Sequence, residues 1–160
     1  MGRVYTVGFN GVAVTAQQDL FEILAPADAT VIVHDYQLSQ DTEVGDAAEE
    51  QLAIIEKRGV GSVTSGSGGT TATPQPVEDG DAGFGGTVEV NNTTKLAAGT
   101  GTIETLQRRS WNVRVPFEKV YTPETRPKIS PNNRWALELA STPADAITMS
   151  GSVTIEEIGG

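Results

Sequence analysis

Apolar and polar positions alternate with a period of two over much of the chain, and the elements this predicts are strands. Tyr5, Val7 and Phe9 fall on one side of a first segment, with Thr6 and Gly8 on the other. After Asn10-Gly11 the apolar parity changes to Val12, Val14 and Ala16. A two-residue hairpin, pairing Phe9 with Val12 and Val7 with Val14, is the preferred explanation. A bulge within one longer strand is the other. The clearest alternation lies in the last third: Trp111, Val113, Val115 and Phe117, then Trp135, Leu137 and Leu139, then Ile147, Met149, Val153 and Ile155. All are expected to face one core.

Other segments are less regular. Gln17 to Leu24 and Gln51 to Val60 fit a strand or a helix, and their β neighbours favour strand. From Thr30 to Ser39, Ile32, His34, Tyr36 and Leu38 share one face while Val31 and Val33 take the other, which suggests cover on both sides. Residues 61–86 are Gly, Ser, Thr, Pro and acids without an apolar period. Fixing that backbone costs roughly 1 to 2 kcal/mol per residue, so contact with another subunit is expected to order it. Residues 92–102 form a second long loop. Residues 121–133 form a third, in which three prolines remove ladder donors and predict a stiff, unpaired connection.

The composition agrees with strands. Val, Ile and Thr together number 44 against 8 Leu, with 18 Gly and 8 Pro as punctuation. A chain of 160 residues fits one domain spanning 1–160. The expected fold is all-β: an antiparallel β-sandwich with long ordered loops, a jelly roll being preferred to an immunoglobulin-like arrangement. With no Cys, disulfides, thiolate metal sites and thiol catalysis are excluded. No window approaches the roughly 20 apolar residues of a membrane span, and neither a membrane role nor a secretory signal is expected. A net charge of -10 argues against gripping nucleic acid.

Candidate chemistry is sparse. His34 and Asp35 are adjacent on a predicted strand, point to opposite faces and make a poor dyad. Ser62 to Gly69 holds neither a nucleophile elbow nor a phosphate loop. Glu78, Asp79 and Asp81 around Gly80 lack the further ligands of a calcium loop and read as a turn. Asn92-Thr93-Thr94 matches a glycosylation sequon, which carries no weight without a secretory route. No catalytic, cofactor-binding or metal residue is expected. The charge distribution says more. Seven of the 11 cations lie between Arg108 and Arg134, whereas residues 35–56 hold seven acids and no cation. A candidate interface pairs Asp41, Glu43, Asp46, Glu49 and Glu50 of one copy or partner with Arg126, Lys128 and Arg134 of another, giving orientation more than affinity.

Several segments taken together resemble a group of small tailed-phage virion proteins. They are Gln18-Asp-Leu-Phe-Glu-Ile23 with Ala25-Pro-Ala27, Ser65 to Gly69 leading to Thr73-Pro74, Asn91 to Thr94, Trp111-Asn-Val113, Pro123 to Pro127, and Pro143-Ala-Asp145 through Met149-Ser-Gly151 to Glu157. The likeness spans nearly the whole chain, in turn and strand features without a catalytic signature, and looks most like a capsid decoration (cement) protein. That resemblance implies a non-enzymatic structural role on the outer capsid surface after synthesis in the host cytoplasm. The implied partners are the major capsid protein and the chain itself, trimers favoured, with no cofactor. The other readings are a phage tail or fibre component and a carbohydrate-binding β-sandwich, which would need an exposed aromatic platform. A cupin-type enzyme is disfavoured by the single His.

Overall fold

The computed structural model describes residues 2–41 and 50–159. Among them lie twelve strands and no helix: β1 (Arg3–Val14), β2 (Gln18–Leu24), β3 (Ala29–Gln40), β4 (Gln51–Val60), β5 (Thr70–Ala72), β6 (Gln75–Pro76), β7 (Thr87–Asn92), β8 (Thr102–Asn112), β9 (Phe117–Val120), β10 (Lys128–Ile129), β11 (Arg134–Leu139) and β12 (Ile147–Gly159). They form two antiparallel sheets. The first runs β10-β3-β12-β1-β6 with β9 also on β3, and the second runs β5-β7-β2-β11-β4-β8. Aromatic contacts join them face to face: Phe9 of β1 meets Phe21 of β2 with centroids 5.3 Å apart, and Tyr36 of β3 meets Trp135 of β11 at 6.3 Å. The fold is therefore an all-β sandwich. Both ambiguous segments, β2 and β4, are strands.

Most of the expected core is buried. Trp111, Val113, Trp135, Leu137, Leu139, Ile147, Met149, Val153 and Ile155 all belong to one cluster, with Phe117 packed against it. Val115 does not. It is 59% exposed because β8 ends at Asn112 and the chain turns, Val115 N–H donating to Asn112 O. The Trp111 indole N–H closes that turn on Val115 O at 2.7 Å.

The parity change at Asn10-Gly11 is a bulge, not a hairpin. β1 continues through it against β12, with Phe9 opposite Gly151 and Val12 opposite Met149, so Asn10 and Gly11 together face one residue, Ser150. Gly11 takes φ +62°, a left-handed conformation glycine adopts without strain, and the extra residue returns Val14 to the core. A second irregularity corrects the reading of β3. The register passes from Asp35 opposite Thr154 to Val33 opposite Ile155, leaving His34 as the extra residue. Val31 and Val33 therefore join Tyr36 and Leu38 in the same core, in place of the expected division between two faces.

The long loops are partly built into the sheets. Within 61–86, β5 pairs β7 and β6 pairs β1, and Thr64 and Ser67 bridge Ala97 and Thr94. Lys128 and Ile129 pair Ile32 and Val31 despite the flanking prolines, because both lie between Pro127 and Pro131 and keep their own N–H groups.

Candidate functional site

The register places a row of polar residues on the outward face of the second sheet. Ala136 sits directly between Glu22 and Lys57, Glu138 lies opposite Asp19, and Glu89 lies opposite Glu22. Directly opposed residues share a face, and Arg134, Ala136 and Glu138 keep to it by the two-residue period. These side chains are nonetheless buried: Asp19 and Glu22 are at most 1% exposed and Lys57 4%. The cover comes from the segments around 62–69 and 93–101.

Each of these buried carboxylates meets both that cover and a cation. Glu22 accepts the Ser65 hydroxyl (2.8 Å) and Arg134 Nη1 (2.7 Å) on one oxygen, and Gly66 N–H (2.8 Å) and Asn92 Nδ2 (3.2 Å) on the other. A Cβ at Gly66 would lie 2.6 Å from Thr94 O and 2.8 Å from Glu22 Oε2, so only glycine brings the N–H this close. Asp19 accepts Leu96 N–H at 2.6 Å. Lys57 Nζ donates to Glu138 at 3.0 Å and stands 2.9 Å from Asp19 Oδ1, out of line for a hydrogen bond, so that second contact is ionic. Lys95 donates to the other Glu138 oxygen at 2.7 Å. Burial pushes the Asp19 carboxyl up to about 6, against the opposing pull of Lys57 and the Leu96 amide. For Glu138 burial acts in the same direction, but the hydrogen bonds from Lys95 and Lys57 prevail and hold it below its ordinary value.

This layer answers the question posed by the Gly/Ser-rich segment. Its first part is ordered within the chain, by backbone donors on Glu22 and by Gly69 N–H on Asn92 Oδ1 at 3.2 Å. Asn92 is 1% exposed and its amide is engaged with Glu22 and Glu89, so the sequon is closed to a glycan in the folded chain. The later part is tethered at the other sheet: Tyr5 donates to Ala82 O at 2.9 Å, Phe84 packs edge-on against Tyr5, and Gly85 N–H donates to Glu157 at 2.8 Å.

Between the sheets lies another carboxylate. Glu56 is 1% exposed and accepts the Tyr36 hydroxyl at 2.8 Å, with Arg109 Nε at 3.7 Å. Burial, then the Glu56 charge and hydrogen bond, raise the Tyr36 hydroxyl far above the ordinary tyrosine value; for Tyr121, burial and then Glu56 do the same. Both phenols stay protonated, and Tyr36 acts as a cross-sheet tie from β3 to β4.

The sequence candidates are scattered. Glu43, Asp46 and Glu49 lie outside the described residues. Asp41 is exposed and accepts the Ser150 hydroxyl at 2.6 Å; Glu50 is half-buried and accepts Ala144 N–H at 2.5 Å. Lys128 is exposed on β10, Arg126 is half-buried beside it, and Arg134 is committed to Glu22 under the loop cover. Trp111 and Trp135 are 2% and 0% exposed, so neither is a sugar-stacking platform. His34 pairs with Glu156 at 2.9 Å, and Asp81 N–H closes the acidic turn on Glu78 O at 3.0 Å. Among the described residues no group of three or more His, Asp or Glu is placed to hold a metal ion.

What the first sheet offers is surface. Its outward row, Thr6, Gly8, Gln37, Ser39, Ser152 and Thr154, is exposed or half-buried and mostly short, and Asp35, Glu118 and Val120 continue the same face toward β9. At the rim, where β5 ends one sheet and β1, beyond its pairing with β6, borders the other, a groove of about 550 Å³ is lined by residues such as Phe9, Val12, Ala72 and Val90, with no charged side chain. The chain matches no protein-family model and no curated protein.

Proposed function

We propose that the chain is a virion structural protein of a tailed phage, a decoration protein that docks on the major capsid protein and on copies of itself as trimers at the outer capsid surface. The observation that carries this reading is the unequal cover of the two sheets. One is sealed by the chain's own loops through Glu22 and Asp19, while the other presents an uncovered row of mostly short polar side chains beside an uncharged rim groove. A shell protein needs such a passive contact face, and an acidic chain is repelled by packaged DNA.

A jelly roll accords with the strand order. β1, β2, β3 and β4 alternate between the sheets, and β8, β9, β11 and β12 alternate on the return, giving β9-β3-β12-β1 in one sheet and β2-β11-β4-β8 in the other. On this reading β5, β6 and β7 are an insertion between its two halves.

The test is binding of the purified chain to emptied capsids that lack it. Saturable binding in a fixed ratio to capsid subunits is expected. No binding to such shells, with labelling found on tails, would replace the capsid assignment by the tail one.

A further inference from the structure

We propose that Asn10-Gly11 is a self-modifying site, at which the Asn10 side-chain amide is converted to an acid through a succinimide, assisted by Ser150 and Asp41. Asn10 is the only asparagine in the chain followed by glycine. It lies in the β1 bulge with Asn10, Gly11 and Asp41 exposed to water. Gly11 has no side chain, and nothing lies within 4 Å of the position a Cβ would take, so its nitrogen is unhindered on that side as the Asn10 side chain approaches.

The groups the reaction needs converge on one hydroxyl. Ser150 Oγ accepts the Gly11 N–H at 3.0 Å. Its single proton is shared between Asn10 Oδ1 at 3.0 Å and Asp41 Oδ2 at 2.6 Å. Asp41 is fixed in turn by its own N–H on Thr148 O at 2.7 Å. Donated to Asp41, the proton leaves Ser150 Oγ more basic toward the Gly11 N–H; donated to Asn10, it polarises the carbonyl under attack.

The bonds balance without any cofactor. Gly11 N forms a bond to Asn10 Cγ, the Cγ–Nδ2 bond breaks, and ammonia leaves with the proton that Gly11 N gave up. Water then opens the imide at one of its two carbonyls, giving aspartyl or isoaspartyl at position 10. Either product places a new negative charge next to Asp41 and beside Phe9 and Val12 of the uncharged groove. The isoaspartyl form also adds a methylene to the backbone of the bulge.

The experiment follows the amide-to-acid mass gain and isoaspartyl content of the full chain in mildly alkaline buffer, mapped by peptide. Wild type, Ser150→Ala, Asp41→Asn and urea-unfolded wild type are compared. Folded wild type is expected to convert at position 10 faster than the unfolded chain. Each variant should be slower by about tenfold or more, a positioned acid–base group being worth at least that. Neither replaced side chain is in the core, so both variants remain folded, checked by their urea midpoints. Conversion in folded wild type no faster than in the unfolded chain, or equal rates in wild type and both variants, overturns the assignment.

Discussion

Arg134 and Glu22 form an ion pair at 2.7 Å on the outward face of the second sheet, with Glu22 wholly buried and Arg134 20% exposed. Glu22 is thereby both the counter-ion of a strand residue and the anchor of the loop above it. Replacing it by Ala takes the carboxylate from the Arg134 guanidinium and from the Gly66 N–H, while the Ser65 hydroxyl and the Asn92 amide keep only Glu89. The expected loss is about 3 to 5 kcal/mol, the usual cost of breaking a buried pair from one side, measured by urea unfolding. Amide exchange around Gly66 should accelerate in the milder Glu22→Gln variant while the core strands stay protected; uniform exchange across the chain would argue against a separately held loop.

Asp19 predicts a pH dependence of unusual sign. Its folded value of about 6 stands above its ordinary 3.8, so the folded state binds the proton more tightly. Its contribution to stability is full below about 3.8 and is lost as pH rises through about 6. The facing groups are Lys57 and Glu138 from the sheet and Leu96 N–H from the loop, with Lys95 on the far oxygen of Glu138. The stability of wild type minus that of Asp19→Asn should therefore fall between pH about 4 and about 6, by at most about 3 kcal/mol at 1.36 kcal/mol per pKa unit. A difference independent of pH would show that Asp19 titrates normally.

Trp135 and Val115 test the core. Trp135→Ala should cost about 3 to 5 kcal/mol. Val115→Ala should cost less than about 0.5 kcal/mol, as expected of an exposed turn residue. Comparable losses would contradict the end of β8 at Asn112.

The charge strips remain testable with Arg134 set aside, since reversing it would damage the Glu22 anchor. Arg126→Glu with Lys128→Glu should slow association with wild-type copies or shells at low salt. The two rates should converge at high salt, as the Debye length falls from about 10 Å at 0.1 M to about 3 Å at 1 M. An unchanged low-salt rate would mark both residues as ordinary solvated surface.

The legible part of this fold was the part written in side-chain alternation. Trp135, Leu137 and Leu139, or Val153 and Ile155, announce one buried face without ambiguity. Parity fails where one extra residue enters: at Asn10-Gly11 a bulge imitates a hairpin, and at His34 it imitates a strand buried on both sides. The loop cover was not legible at all. It depends on backbone N–H groups of Gly66 and Leu96 reaching carboxylates 44 and 77 positions away in sequence, and no period records a backbone donor. A faint signal lay in Asp19, Glu22, Lys57 and Glu138, charges set inside otherwise apolar strands, where burial is tolerated only with partners.

The bulge in β1 also bears on solubility. Beyond Thr6, where β6 stops, β1 is a rim strand of its sheet and offers main-chain groups to any passing strand. The extra residue at Asn10-Gly11 breaks the even spacing of those groups midway, so a foreign strand can register with only one half of the rim. Fibrillar growth requires identical strands stacked in unbroken ladders. At this rim, then, a single residue out of step opposes edge-to-edge pairing.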